Sequence, residues 1–156
     1  MSKVMCIDPG TQKLGWAVYE GIKLSEWGTI TDQGDPLDRC EGIAKTLRYL
    51  VSYHQPDQVV SEYPHKGGPG MRAKSITILF HFCGMVHEVM RNLDIPIKFV
   101  EPMEWKGQVK KEIHHPKIIK KTFSKYKVDV SKAGEDAIDA IGIGYWWLNE
   151  REPDVE

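Results

Sequence analysis

Only two residues, Glu20 and Gly21, separate the apolar run at 14–19 from the run at 22–27, and a connection that short can join only antiparallel neighbours. Upstream, KVMCID at 3–8 is a third β-compatible run, closed by the turn pair Pro9-Gly10. The chain therefore opens as a three-strand meander, with its first run as the central strand. Asp35-Pro36 then starts a helix in which Cys40, Ile43, Ala44, Leu47, Leu50 and Val51 recur at helical spacing to about His54. Pro56 ends it, and QVVSE at 58–62 is a brief strand that finishes on an acid and returns parallel after the helical crossover. Residues 63–72 are rich in Gly and Pro and predict a mobile loop. A helix over about 73–93, a strand after Pro96, one or two short helices and a last helix within 133–148 complete the order. This β-β-β-α-β-α-β-α-α order predicts an α/β fold, a mixed sheet with helices on both faces.

The long helix at 73–93 carries apolar residues on two faces: Ile76, Leu79, Phe80, Cys83 and Val86 on one, and Ile78, Phe82, Met85 and Val89 on the other. One face can cover a sheet, and the second needs another partner. The last helix poses a different problem, because Asp136 and Asp139 stand three apart inside the apolar run AGEDAIDAIGIGYWWL. At that spacing both carboxylates point the same way, and each disfavours the other's ionised form. Beside them Ala137, Ala140, Ile141 and Gly144 make a seam small enough for a backbone to lie close against a sheet. A plain surface helix with two solvated acids is the rival reading of this stretch.

Two further acids decide between these readings. Asp8 closes the first strand and Glu62 the fourth, and ligands in open α/β sheets gather at the carboxyl ends of strands. As parallel neighbours these strands would lie about 4.8 Å apart, so their terminal carboxylates converge. A C-terminal helix packed on that corner adds Asp136 and Asp139. An oxygen-only cluster of this kind suits magnesium or manganese rather than zinc, and a pair of such ions makes a clamp for phosphodiester hydrolysis that requires no nucleophilic side chain.

Charge adds a second clue. The net charge of the 156 residues is -1, yet positions 98–127 hold nine Lys against three Glu, a local +6, which leaves -7 for the rest. The predicted phosphate contacts in this basic segment are Lys106, Lys110, Lys111, Lys117, Lys120 and Lys121, with Lys110 or Lys117 also a candidate neighbour of the scissile group. His65, Lys66, Arg72 and Lys74, around the Gly/Pro-rich loop, are further candidates for DNA contact. The adjacent His114 and His115 should point apart and not share a metal, and Trp146 and Trp147 read as cover for the last helix. Cys6, Cys40 and Cys83 are widely spaced in apolar sequence, with no zinc pattern, and read as buried thiols of a reducing compartment. With 41% hydrophobic residues and no apolar run of the roughly 20 residues a membrane span needs, the expectation is one soluble cytoplasmic domain over 1–156.

IDPGTQKLGWA, VVSEYP and EDAIDAIGIG, in that order and at these separations, resemble the catalytic blocks of the RuvC-type Holliday junction resolvases, members of the ribonuclease H-like superfamily. The resemblance spans nearly the whole chain, and the joint match is specific where a single block would be weak. It implies a five-stranded mixed sheet in the order 3-2-1-4-5, with Asp8, Glu62, Asp136 and Asp139 as catalytic metal ligands. It also implies two Mg2+ ions per site, for which Mn2+ substitutes, and a homodimer that nicks branched DNA in pairs. The second apolar face of residues 73–93 is then the dimer seam. Many members carry an aromatic wedge shortly after the fourth-strand acid, whereas this chain has Tyr63, Pro64 and His65. The compact length and Trp105-Lys106-Gly107 are closer to phage-encoded members.

Three rival functions follow from the same residues. One is a ribonuclease H-like enzyme that processes RNA, and another a DNA-binding module without catalysis, in which the full acid set would be wasted. The third is a fragment of an actin-like phosphate-binding ATPase, whose first loop also reads Asp-x-Gly-Thr, as at 8–11; the chain is short for that two-lobed architecture.

Overall fold

Backbone pairing at the head of the chain sets the architecture. In the computed structural model, which describes residues 1–65 and 73–153, strand β1 (Lys3–Pro9) pairs antiparallel with β2 (Lys13–Glu20), and β2 with β3 (Lys23–Thr31). Strand β3 runs past the residue 27 expected from its apolar pattern. Gly28 would ordinarily weaken a strand there. Its register partner Trp16 lies across it, and a Cβ at 28 would sit 2.9 Å from the indole, so the ring supplies the cover that the glycine lacks.

Helix α1 (Pro36–His54) is started by the Asp35 side chain, which accepts from the backbone N–H groups of Leu37 and Asp38. Its buried row of Cys40, Ile43, Ala44, Leu47 and Val51 lies on the sheet, and Gln55 in the left-handed region ends it. Strand β4 (Gln58–Glu62) then pairs parallel with β1, and β5 (Ile97–Val100) parallel with β4. The sheet order is β3-β2-β1-β4-β5, as the resemblance implies.

Helix α2 (Ala73–Asn92) connects β4 to β5. It buries Phe82, Cys83, Val86 and Met90, a single row that takes Phe82 from one expected face, Cys83 and Val86 from the other, and Met90 from neither. The loop expected at 63–72 falls mostly outside the described residues. After β5 come α3 (Pro102–Trp105), α4 (Lys111–Tyr126) and α5 (Glu135–Tyr145), and the chain then tightens into a π-helical turn at Trp146–Glu150.

Two cores result, one on each side of the sheet. Helices α1 and α2 close the first around Met5, Ile7, Leu14, Val18 and Val59. The other is closed by α3, α4 and α5 around Cys6, Ala17, Tyr19, Val60 and Ile141, with Trp146 and Trp147 packed at its border as cover. All three cysteines are buried free thiols. Among the described residues no helix is long and apolar enough to cross a membrane.

Candidate active site

The parallel register of β1 and β4 matches Ile7 with Ser61, so the next residues on the two strands are Asp8 and Glu62. Their carboxylates lie close enough to interact electrostatically, at the carboxyl ends of the central strands. Helix α5 reaches this corner because β2 presents Gly15 opposite Asp8: a Cβ at position 15 would collide with the backbone carbonyl of Asp136. The first turn of α5 therefore rests directly on strand backbone. At the other end of the helix a Cβ at Gly144 would collide with the Tyr19 ring, whose hydroxyl donates to the Ile141 carbonyl at 2.6 Å. Ala137, Ala140, Ile141 and Gly144 are all buried, as the small-residue seam predicts.

Electrostatically the acids act as one group. Burial holds the Asp8 carboxyl well above the usual carboxylate range, with Glu62, Asp139 and Asp136 adding repulsion and Lys106 opposing it. Glu62 is raised by burial and by Asp139, against the pull of Lys106 and a hydrogen bond from Trp105. Asp136 is raised by burial and by Asp139, while Lys13 and Lys111 lower it.

Glu62 and Asp139 are each drawn to a polar partner. Trp105 Nε1 donates to Glu62 Oε2 at 2.8 Å, and Lys106 Nζ lies 3.8 Å from the same oxygen. Asp139 Oδ1 lies 2.9 Å from Nε2 of His115. A pocket of about 40 Å3, room for a water, opens here between Lys106, Lys111, His114, His115 and Asp139. Among the described residues no three His, Cys, Asp or Glu side chains are already gathered to chelate an ion. The donor chemistry nonetheless fits a hard divalent cation: carboxylate oxygens crowd one corner, and their mutual repulsion is what such a cation would relieve.

The predicted cationic residues divide by place. Lys106 and Lys111 lie at the acids, Lys111 paired with Glu135 at 2.9 Å. Lys110, expected as a possible neighbour of the reacting group, is the exposed residue before α4; Lys117, the other, is exposed on that helix beside Lys120. The cations acting on Asp8, Glu62 and Asp136 are Lys106 and Lys111, both predicted contacts, and the unanticipated Lys13. Lys121 turns to Glu150 at 2.6 Å and lies over the Tyr145 ring. His65 lies 3.7 Å from Glu101, and Lys74 is exposed in the first turn of α2, while Lys66 and Arg72 fall outside the described residues.

Sequence reasoning missed Trp105 and His115 as neighbours of the acids. His114 and His115 do diverge, the first tilted against the Trp105 ring at 5.0 Å and the second onto Asp139. The available signal was periodicity: His115, Ile118 and Thr122 form one inward row of α4. A histidine in phase with that row has to meet something polar inside.

No family model matches the chain, and no curated protein matches it. Solved structures do. A Thermus thermophilus RuvC in complex with a Holliday junction substrate has 16% sequence identity and a TM-score of 0.74, covering 98% of this chain and 99% of that one. The fold is that of RuvC. A second Thermus thermophilus RuvC structure gives a TM-score of 0.71 at 17% identity, over 94% of this chain and 95% of the other.

Proposed function

We propose that this chain is a RuvC-type resolvase, a metal-dependent, structure-selective endonuclease that resolves four-way and other branched DNA junctions by paired nicks. The observation that carries this reading is the meeting of Asp8, Glu62, Asp136 and Asp139 at one corner of a sheet with the RuvC fold. These four residues would hold two Mg2+ ions, with Mn2+ as a substitute. When bound, such ions supply Lewis acidity that activates a water and stabilises the leaving 3′ oxygen. Asp8, flanked by the other three, would take the bridging role. Lys106 offsets their charge, and the exposed Lys110, Lys117 and Lys120 offer phosphate contacts. The setting would be the cytoplasm of a bacterial cell or of a phage-infected host, with the chain acting as one domain.

Paired nicks require two copies, and α2 supports a homodimer. Gly84 is exposed in the middle of this helix, and a Cβ there would meet nothing within 4 Å. Within the chain a glycine at that position only weakens the helix, by about 0.5–1 kcal/mol relative to alanine. It lines two apolar hollows, one of about 600 Å3 with Ala44, Phe80 and Met85 and one of about 320 Å3 with Tyr63 and Phe99. A second copy of α2 laid across Gly84 would fill both. Gly84→Arg should therefore give a folded monomer in light scattering, one that nicks a junction once per binding event.

The deciding assay offers the protein, with magnesium, a four-way junction, a linear duplex and an RNA hairpin. Paired symmetric nicks in the junction alone are expected. Cleavage confined to the hairpin would favour the RNA-processing reading, and ATP hydrolysis without any cleavage the actin-like one.

A further inference from the structure

We infer that Trp105 and His115 are positioning residues for the divalent ions: their ring N–H groups orient Glu62 and Asp139 so that these carboxylates can receive metal. This rests on the reading of the four acids as metal ligands. The two contacts are equivalent in form. One N–H from the segment between β5 and α4 reaches Glu62 Oε2 at 2.8 Å, and one from α4 itself reaches Asp139 Oδ1 at 2.9 Å. A metal-ligating carboxylate can only accept, so the proposed role requires the Nε2 proton of His115 in this contact. Engaging a single oxygen fixes the rotation of a carboxylate while leaving its second oxygen available, as in the outer partners that orient ligands at metal sites.

Both donors are held firmly enough to orient something else. Trp105 is 7% exposed and is wedged against α5 where Gly142 leaves room, since a Cβ at 142 would come within 2.8 Å of the indole. Lys106 covers its face at 5.1 Å, and His114 tilts against it with a ring nitrogen that has no hydrogen-bond partner. His115 has a side-chain exposure of 11%, against 14% for Asp139. Stability alone would favour apolar residues at such sites, whereas a polar clamp on two acids has a use once a cation arrives. Since Trp105 and His115 bracket Lys106, Lys110 and Lys111, the clamp belongs to the same stretch that is proposed to meet phosphate.

Calorimetric titration of the full chain with MnCl2, without DNA, tests this, with the metal-free melting midpoint recorded for every variant. Trp105→Phe keeps the ring and loses the donor. His115→Leu loses the donor, and His115→Gln keeps one. Weakening of Mn2+ affinity by about 10- to 100-fold is expected for Trp105→Phe and His115→Leu, with near-parental metal-free midpoints and with affinity largely recovered in His115→Gln. Affinities of Trp105→Phe and His115→Leu within twofold of the parent would overturn the inference. So would a loss that follows the metal-free midpoint and is not recovered by Gln, which would make both residues packing groups only. Asp8→Asn separates this failure from that of the metal reading: a parent that binds no Mn2+, or binds it as well as Asp8→Asn does, overturns both.

Discussion

Asp8 and Glu62 are carried by neighbouring parallel strands, whereas Asp136 and Asp139 are carried by a helix laid over the sheet, and the two pairs are placed by different physics. Backbone hydrogen bonds fix the strand pair, because the β1–β4 register leaves them no alternative separation. Side-chain volume fixes the helix pair: α5 comes to the corner only as closely as Gly15 allows. Charge follows placement. Repulsion from the other three acids converges on Asp8, whose carboxyl burial already holds well above the usual range, while Asp136 faces its neighbours from a half-exposed position. One pair is rigid and electrostatically costly, and the other is adjustable.

The sharpest way to break this contrast is to neutralise the rigid pair. Asp8→Asn should lower junction cleavage by about a thousandfold or more, since the Lewis-acid contribution of bound ions is several kcal/mol and each 1.36 kcal/mol is tenfold in rate. Junction binding measured in calcium should be intact or slightly tighter. Cleavage within a factor of ten of the parent at saturating magnesium would remove Asp8 from the bridging role.

Gly15→Ala attacks the adjustable pair without touching an acid. The methyl group must push the first turn of α5 off β2, which should destabilise the fold by about 1–3 kcal/mol and reduce cleavage well beyond what the stability loss explains. Denaturant melts alongside single-turnover rates check this. An unchanged rate in a destabilised protein would mean that the helix acids need no such close seat.

Acidity gives a subtler comparison. Asp8, Glu62 and Asp136 all have folded-state pKa values above their ordinary ones. A raised carboxyl binds more protons folded than unfolded, so its stabilising effect is complete below the ordinary carboxylate value of about 4 and is lost as pH rises through the folded value. The metal-free melting midpoint should therefore fall as pH climbs from about 4 upward. Asp8→Asn should flatten that fall more than Asp136→Asn does, and millimolar manganese should offset it near neutrality. A metal-free midpoint that rises over the same range would show that the acids are not crowded.

The smallest expected effect lies away from both pairs. Changing the exposed Lys117 and Lys120 together to Gln should lower the slope of log affinity against log salt by about two units, at roughly 0.9 per phosphate contact. Lys121→Gln alone, with Glu150 already beside that lysine, should change the slope little. Equal slopes in the double variant and the parent would move the phosphate-binding surface off α4.

Much of this arrangement was legible in the residues, for a reason that differs by element. Strand ends and helical i, i+3 spacing are local properties, so Asp8, Glu62, Asp136 and Asp139 could be picked out and grouped. The sheet order came from the resemblance rather than from periodicity, which cannot rank strands. The length of β3 was hidden because the group that covers Gly28 is Trp16, on another strand. Trp105 and His115 were hidden for the same reason: their roles are defined by Glu62 and Asp139, 43 and 24 residues away, and no pattern internal to the 105–115 segment names those partners. For α2 the apolar residues were found but their division was not, since the sheet took Phe82 from one expected face and Cys83 from the other.

The distance along the chain between Asp8 and Asp136 bears on the protein's synthesis. Domains form as the chain leaves the ribosome, N-terminal parts first, and β1 to β3 can pair as soon as residue 31 has emerged. The acid corner, by contrast, stays open until α5 has been made and has docked over Gly15, so a nascent or truncated chain could pair the meander without assembling the four acids. The activity proposed for this corner would thus be withheld from every incomplete chain by the order of translation itself.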